Sequence, residues 1–104
     1  MNKQKVANEV ESATNHLLSE DLATYDVDTL LNEEAHQLMY DLGLNPRVDI
    51  MQNHGDLATY SVIIEYLKDE NIDLHHNNDG EINEVLFQVS VRGIYRILKN
   101  NLSA

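Results

Sequence analysis

Cysteine and tryptophan are absent from this 104-residue sequence, and there is a single proline, Pro46. The missing cysteines exclude a disulfide framework, a thiolate metal site and a cysteine nucleophile. Basic residues are scarce: 7 Lys and Arg stand against 18 Asp and Glu, a formal net charge of −11. A surface with that balance is repelled by a phosphate backbone unless its few cations gather locally. No apolar run approaches the roughly 20 residues that span a bilayer. The start, Met1-Asn2-Lys3-Gln4-Lys5-Val6, leads into polar sequence and not into the apolar stretch of a secretory signal. These absences predict a soluble, cytoplasmic chain without membrane contact. Its length predicts one domain over residues 1–104.

The charges that are present are unevenly placed. Between residues 6 and 46 there is no Lys or Arg, while Glu9, Glu11, Glu20, Asp21, Asp26, Asp28, Glu33, Glu34 and Asp41 fall there. Residues 85–104 hold no acid, and Arg92, Arg96 and Lys99 fall there. The chain is thus polarised, with a long acidic part and a short basic end. Acidity of this kind serves solubility, or it forms a surface for a basic partner.

Hydrophobic spacing organises the chain into short elements. Val6, Val10, Ala13 and Leu17, widened by Leu18, predict a helix over 3–19. Leu30, Leu31, Ala35, Leu38, Met39 and Leu42 predict a second over 29–42, capped by Asp26 or Asp28 and stopped by Gly43. Pro46 opens a short third helix over 46–53. Asp56 caps a fourth over 57–70, with Leu57, Tyr60, Ile64 and Leu67 as its stripe. The β-branched and aromatic content of 60–66 makes a strand the competitor there. The pentapeptide Asp-Leu-Ala-Thr-Tyr occurs at 21–25 and at 56–60, with flanks that do not match, so it marks no repeat.

The last third changes character. Residues 72–75 alternate apolar and polar, and Asn77-Asn78-Asp79-Gly80 is a strong turn signal. Val85, Phe87, Val89 and Val91 then recur with a period of two, in residue types that favour strands. Residues 92–102 resume helical spacing through Ile94, Ile97, Leu98 and Leu102. This pattern predicts a hairpin followed by a terminal helix. One long helix over 81–101 is the alternative, and it would be apolar on nearly every face between Val85 and Val91.

The order helix, helix, short helix, helix, hairpin, helix resembles that of winged helix-turn-helix regulators. The stretch 66–74 is similar to the end of their third core helix passing into the first wing strand. Residues 77–80 look like the wing tip, and 85–98 like the second wing strand and C-terminal helix, with Gly93 in its first turn. The resemblance covers about residues 28–102 and carries no specific motif. It implies an α+β, mainly helical fold in which 1–20 forms an N-terminal helix before a winged-helix-like core at 28–102. An all-α helical bundle is the alternative. The resemblance also implies that helix 57–70 stands where a recognition helix stands. Its polar positions, Asp56, Thr59, Ser61, Glu65, Lys68, Asp69 and Glu70, offer one cation against four acids, a poor surface for base edges and phosphates.

Candidate chemistry is sparse. Residues 75–86 resemble the centre of an EF-hand loop, but His75 and Leu86 stand where that loop needs its first and twelfth ligands. Glu33 and His36 share the spacing of carboxylate-bridged di-metal bundles, which need two such pairs and further glutamates. His16 and Glu20 form an ordinary i, i+4 helix pair. His75 or His76 with Asp73 offers at most a weak zinc or nickel site. There is no Gly-rich phosphate loop, no Gly-x-Ser-x-Gly, and no nucleophile spaced to a base. The expectation is therefore a protein that is not an enzyme, with no catalytic, cofactor or metal residues.

The expected function is that of a small acidic interaction or regulatory protein, plausible as a phage or bacterial accessory protein. It would present Glu9, Glu11, Glu33, Glu34 and Asp41 to a basic protein partner, as a nucleic-acid mimic or inhibitor in one version. The tyrosines, five against one phenylalanine, suit such an interface as well as core edges. A homodimer is expected through helix 3–19 and the C-terminal helix. The alternative is a dimeric DNA-binding regulator that contacts nucleic acid through Arg47, Lys68, Arg92, Arg96 and Lys99.

Overall fold

The computed structural model describes residues 2–20, 26–44, 54–72 and 82–103. Over these the chain forms helices α1 (Lys3–Leu18), α2 (Val27–Asp41), α3 (His54–Asp69) and α4 (Ile82–Ser103). No strand occurs among the described residues.

Helix α1 starts where Asn2 accepts a hydrogen bond from the Lys5 amide at 3.0 Å, satisfying one of the donors a helix start leaves open. Val6, Val10, Ala13 and Leu17 are buried, as their spacing predicts. Helix α2 is capped by Asp26, which accepts from the Asp28 amide at 3.1 Å, so it begins two residues before the expected start. Leu31, Ala35, Leu38 and Met39 form its buried face.

The same closure ends α2 and α3. After α2, the Leu44 amide donates to the Met39 carbonyl at 3.0 Å and the Gly43 amide to the Tyr40 carbonyl at 2.9 Å. After α3, the Ile72 amide donates to the Leu67 carbonyl and the Asn71 amide to the Lys68 carbonyl, both at 3.0 Å. Both are Schellman motifs, which need a left-handed residue one place past the cap. Gly43 takes it at φ +85° and Asn71 at φ +62°. Leu44 and Ile72, next in each motif, turn back into the core.

Two helix starts and one whole element depart from expectation. Helix α3 begins at His54, so Asp56, expected just before the helix, lies inside its first turn. The strand alternative for 60–66 is excluded, because the segment is helical with Tyr60, Ile63, Tyr66 and Leu67 buried and Ile64 at the edge of that face. The larger correction concerns the C-terminal third. The α+β fold with a β-hairpin is contradicted: residues 85–91, expected as a strand, lie within the continuous 22-residue helix α4. The described chain is a helical bundle. The short helix at 46–53, the pentapeptide copy at 21–25 and the turn and metal candidates at 73–80 lie outside the described residues.

The packing explains why a helix apolar on so many faces is stable there. Helices α1 and α4 touch each other, and each touches both α2 and α3, whereas α2 and α3 do not meet among the described residues. Helix α4 is therefore enclosed from several sides. Phe87, Val89, Ser90, Val91, Gly93 and Ile94 are all buried. Between Leu86 and Lys99 its exposed positions, Gln88, Arg92, Arg96 and Lys99, recur at i, i+4, i+8 and i+11, a single helical stripe. The apolar stripes of α1 and α4, expected to join two copies, both belong to the core of one chain.

Candidate interaction surface

Helices α1 and α2 enclose a cleft of about 260 Å³. From α1 it is lined by Glu9, Ser12, Ala13 and His16, and from α2 by Glu34, Gln37, Leu38 and Asp41. Three of the five expected acidic-face residues thus meet here: Glu9, Glu34 and Asp41. Glu11 is exposed on α1 and lines a second cleft with Thr14, Tyr66 and Asn101. Glu33 is exposed on α2. The helical phase explains the division, because Glu33 and Glu34 are about 100° apart around the axis and only Glu34 turns toward α1.

Side-chain contacts fix the cleft's walls. Gln37 donates to Asp41 Oδ1 at 2.9 Å, one turn along α2. His16 contacts Glu34 through Nδ1, and its Nε2 lies 3.6 Å from Glu20 Oε1. The i, i+4 pair of His16 with Glu20 was legible in the sequence. The contact of His16 with Glu34, 18 residues apart, was not. Ser12 and Gln37 also went unnoticed, since neutral polar residues on a helix carry no signal of a shared cleft.

The cations are arranged differently. Lys3 is committed to Asp69 at 2.8 Å, joining the start of α1 to the end of α3. That hydrogen bond and the Asp69 charge, with Glu65 adding, hold the Lys3 ammonium pKa above its usual value. Lys68 is exposed in the last turn of α3, and Arg47 lies outside the described residues. Arg92, Arg96 and Lys99 share the exposed stripe of α4. Neither arginine is free of interactions within the chain. Lys99 Nζ stands 5.9 Å from the centre of the Tyr95 ring, and the Tyr95 hydroxyl donates to Asp28 Oδ1 at 2.5 Å. Asp28, in the first turn of α2, thus holds the ring that Lys99 approaches. That hydrogen bond, followed by burial and by the charges of Asp28 and Asp26, raises the Tyr95 pKa.

No group of three or more His, Asp or Glu side chains among the described residues is placed to hold a metal ion. The Glu33–His36 pair does not act together: Glu33 is exposed, whereas His36 Nδ1 donates to the Asn32 carbonyl at 2.8 Å. The His36 ring centre lies 5.9 Å from that of buried Phe87, and Tyr40 approaches Phe87 at 6.2 Å. Among the described residues, no helix is long and apolar enough to cross a membrane.

The chain matches no protein-family model, no curated protein and no solved structure.

Proposed function

We propose that this chain is a small non-enzymatic interaction protein whose α1–α2 face receives a basic protein partner. The observation that carries this reading is the cleft between those helices, with Glu9, Glu34 and Asp41 on its walls and no Lys or Arg among its described lining residues. Glu11 and Glu33 extend the same charge over the outer surfaces of the two helices. A face of one sign raises the local concentration of an oppositely charged partner and speeds its arrival, and salt screens the effect. One form of this function is mimicry of a nucleic acid, with the acids standing in for phosphates on a groove-bearing protein.

The experiment is capture of partners from source lysate on the tagged chain, eluted by a salt gradient with and without nuclease. A basic protein eluting at moderate salt, indifferent to nuclease and lost with Glu33→Lys plus Asp41→Lys, is expected. Recovery of nucleic acid that disappears with Arg92→Glu plus Arg96→Glu overturns this reading in favour of a DNA-binding regulator working through α4.

A further inference from the structure

The second cleft, of about 230 Å³, lies where α1 meets the last turns of α3 and α4. Tyr66 lines it from α3, is only 8% exposed, and makes no hydrogen bond through its hydroxyl to any described residue. Burial, then the charge of Glu70, raises the Tyr66 pKa, so the phenol keeps its proton at neutral pH. A polar group this deeply placed is costly unless water or a ligand completes its bonding.

The opposite wall is fixed by its own hydrogen bonds. Thr14 donates its hydroxyl proton to the Val10 carbonyl at 2.8 Å. Toward Asn101 it can then only accept, and Asn101 Nδ2 stands 3.2 Å away. That bond ties α4 to α1 and sets which way the Asn101 amide faces, leaving Oδ1 as the acceptor unused within the described chain. Asn15 adds a second amide without a partner among the described residues. Glu11 is the one charged residue among the described lining, and Val10 with half-buried Ala7 supplies apolar surface. The cleft therefore offers more acceptors than donors, and its charge is negative. An anion is repelled there, and a neutral ligand leaves the carboxylate without a counter-charge. An ammonium brings three donors and no acceptor, which matches. The volume is that of roughly seven or eight waters, enough for a group of about five to eight heavy atoms.

We propose that the cleft between α1, α3 and α4 binds a primary alkylammonium group on a short apolar stem. That chemistry is shared by a lysine side chain of another protein and by a free small amine. The ammonium donates to the Glu11 carboxylate and to the amide oxygens of Asn15 and Asn101, while the stem lies against Ala7, Val10 and Tyr66. The site is separate from the α1–α2 cleft, because Glu9 and Glu11 are about 200° apart around the axis of α1. It does not rest on the function proposed for that other face.

The test is an NMR titration of the full chain with n-butylammonium at low salt, where screening is weakest. Saturable shifts are expected at the Val10, Glu11 and Asn15 amides of α1 and at Asn101 of α4, with a midpoint of about 1–10 mM for so small a ligand. 1-Butanol, which has the same stem without the charge, is expected to leave these signals in place. Glu11→Gln keeps the shape of an exposed side chain and is expected to raise the midpoint roughly three- to tenfold, with an unchanged melting temperature. A short peptide with one central lysine separates the sources: the same signals move at a similar midpoint if the ligand is a protein side chain, and only n-butylammonium moves them if it is a free amine. Shifts confined to Gln37 and Asp41 of α2 would place the amine in the α1–α2 cleft and overturn this site while leaving the proposed function standing. No saturation by about 50 mM, equal shifts with 1-butanol, or an unchanged midpoint in Glu11→Gln also overturns it.

Discussion

The Tyr95 hydroxyl donates to Asp28 Oδ1 at 2.5 Å, tying the middle of α4 to the first turn of α2 across 67 residues of sequence. The bond needs the phenol protonated, and it raises the Tyr95 pKa. Tyr66 is raised as well, by burial first and then by the charge of Glu70. A group that holds its proton more tightly when folded contributes stability that is complete below the unfolded value, about 10 for tyrosine. That contribution is lost as pH rises through the folded value.

Thermal unfolding should therefore show a decline above about pH 10. Tyr95→Phe is expected to flatten that decline without abolishing it, because Tyr66 remains. Absorbance titration of the phenolates gives the companion readout, with a smaller late-ionising fraction in the variant. Identical alkaline profiles in the wild type and Tyr95→Phe would count against the hydrogen bond as a stabilising contact.

Ser90 sits fully buried on α4, and its Oγ has no hydrogen-bond partner among the described residues. A buried hydroxyl without a partner costs about 1–3 kcal/mol. Alanine also has the better helix propensity and removes a single atom. Ser90→Ala is expected to stabilise the protein by about 1 kcal/mol in urea unfolding. A loss of stability would show that the hydroxyl is satisfied in solution.

The paired helix ends predict changes of opposite sign. At Gly43 an added Cβ would meet nothing within 4 Å, so Gly43→Ala carries only the conformational penalty of positive φ, about 1 kcal/mol. At Asn71, with φ +62°, the reverse holds. Asn71→Gly is expected to gain a few tenths of a kcal/mol up to about 1, since glycine takes this geometry without a Cβ penalty. Denaturant midpoints check both, and equal signs for the two would contradict the shared motif.

Three of the helices were legible because each has one apolar stripe and a recognisable boundary. Val6, Val10, Ala13 and Leu17 give the face of α1, and Gly43 gives the end of α2. A strand over 85–91 was expected because Val85, Phe87, Val89 and Val91 alternate. The exposed stripe of Gln88, Arg92, Arg96 and Lys99 is the signal that would have given the helical phase. Alternation indicates a strand only where one face is open to water. Helix α4 is covered by three neighbours, so the tertiary environment accepts apolar residues around most of its circumference.

The sequence by itself determined the acidity of 6–46, the basic end, the absence of thiol chemistry and the core faces of α1 and α2. These follow from composition and local spacing, which need no knowledge of neighbours. The tertiary structure alone decided that α4 is continuous and that Glu9, Glu34 and Asp41 share one cleft with His16 while Glu11 and Glu33 do not. It also decided that Tyr95 reaches Asp28. Each of these depends on which helix faces which, and that is settled by how the buried stripes pack together.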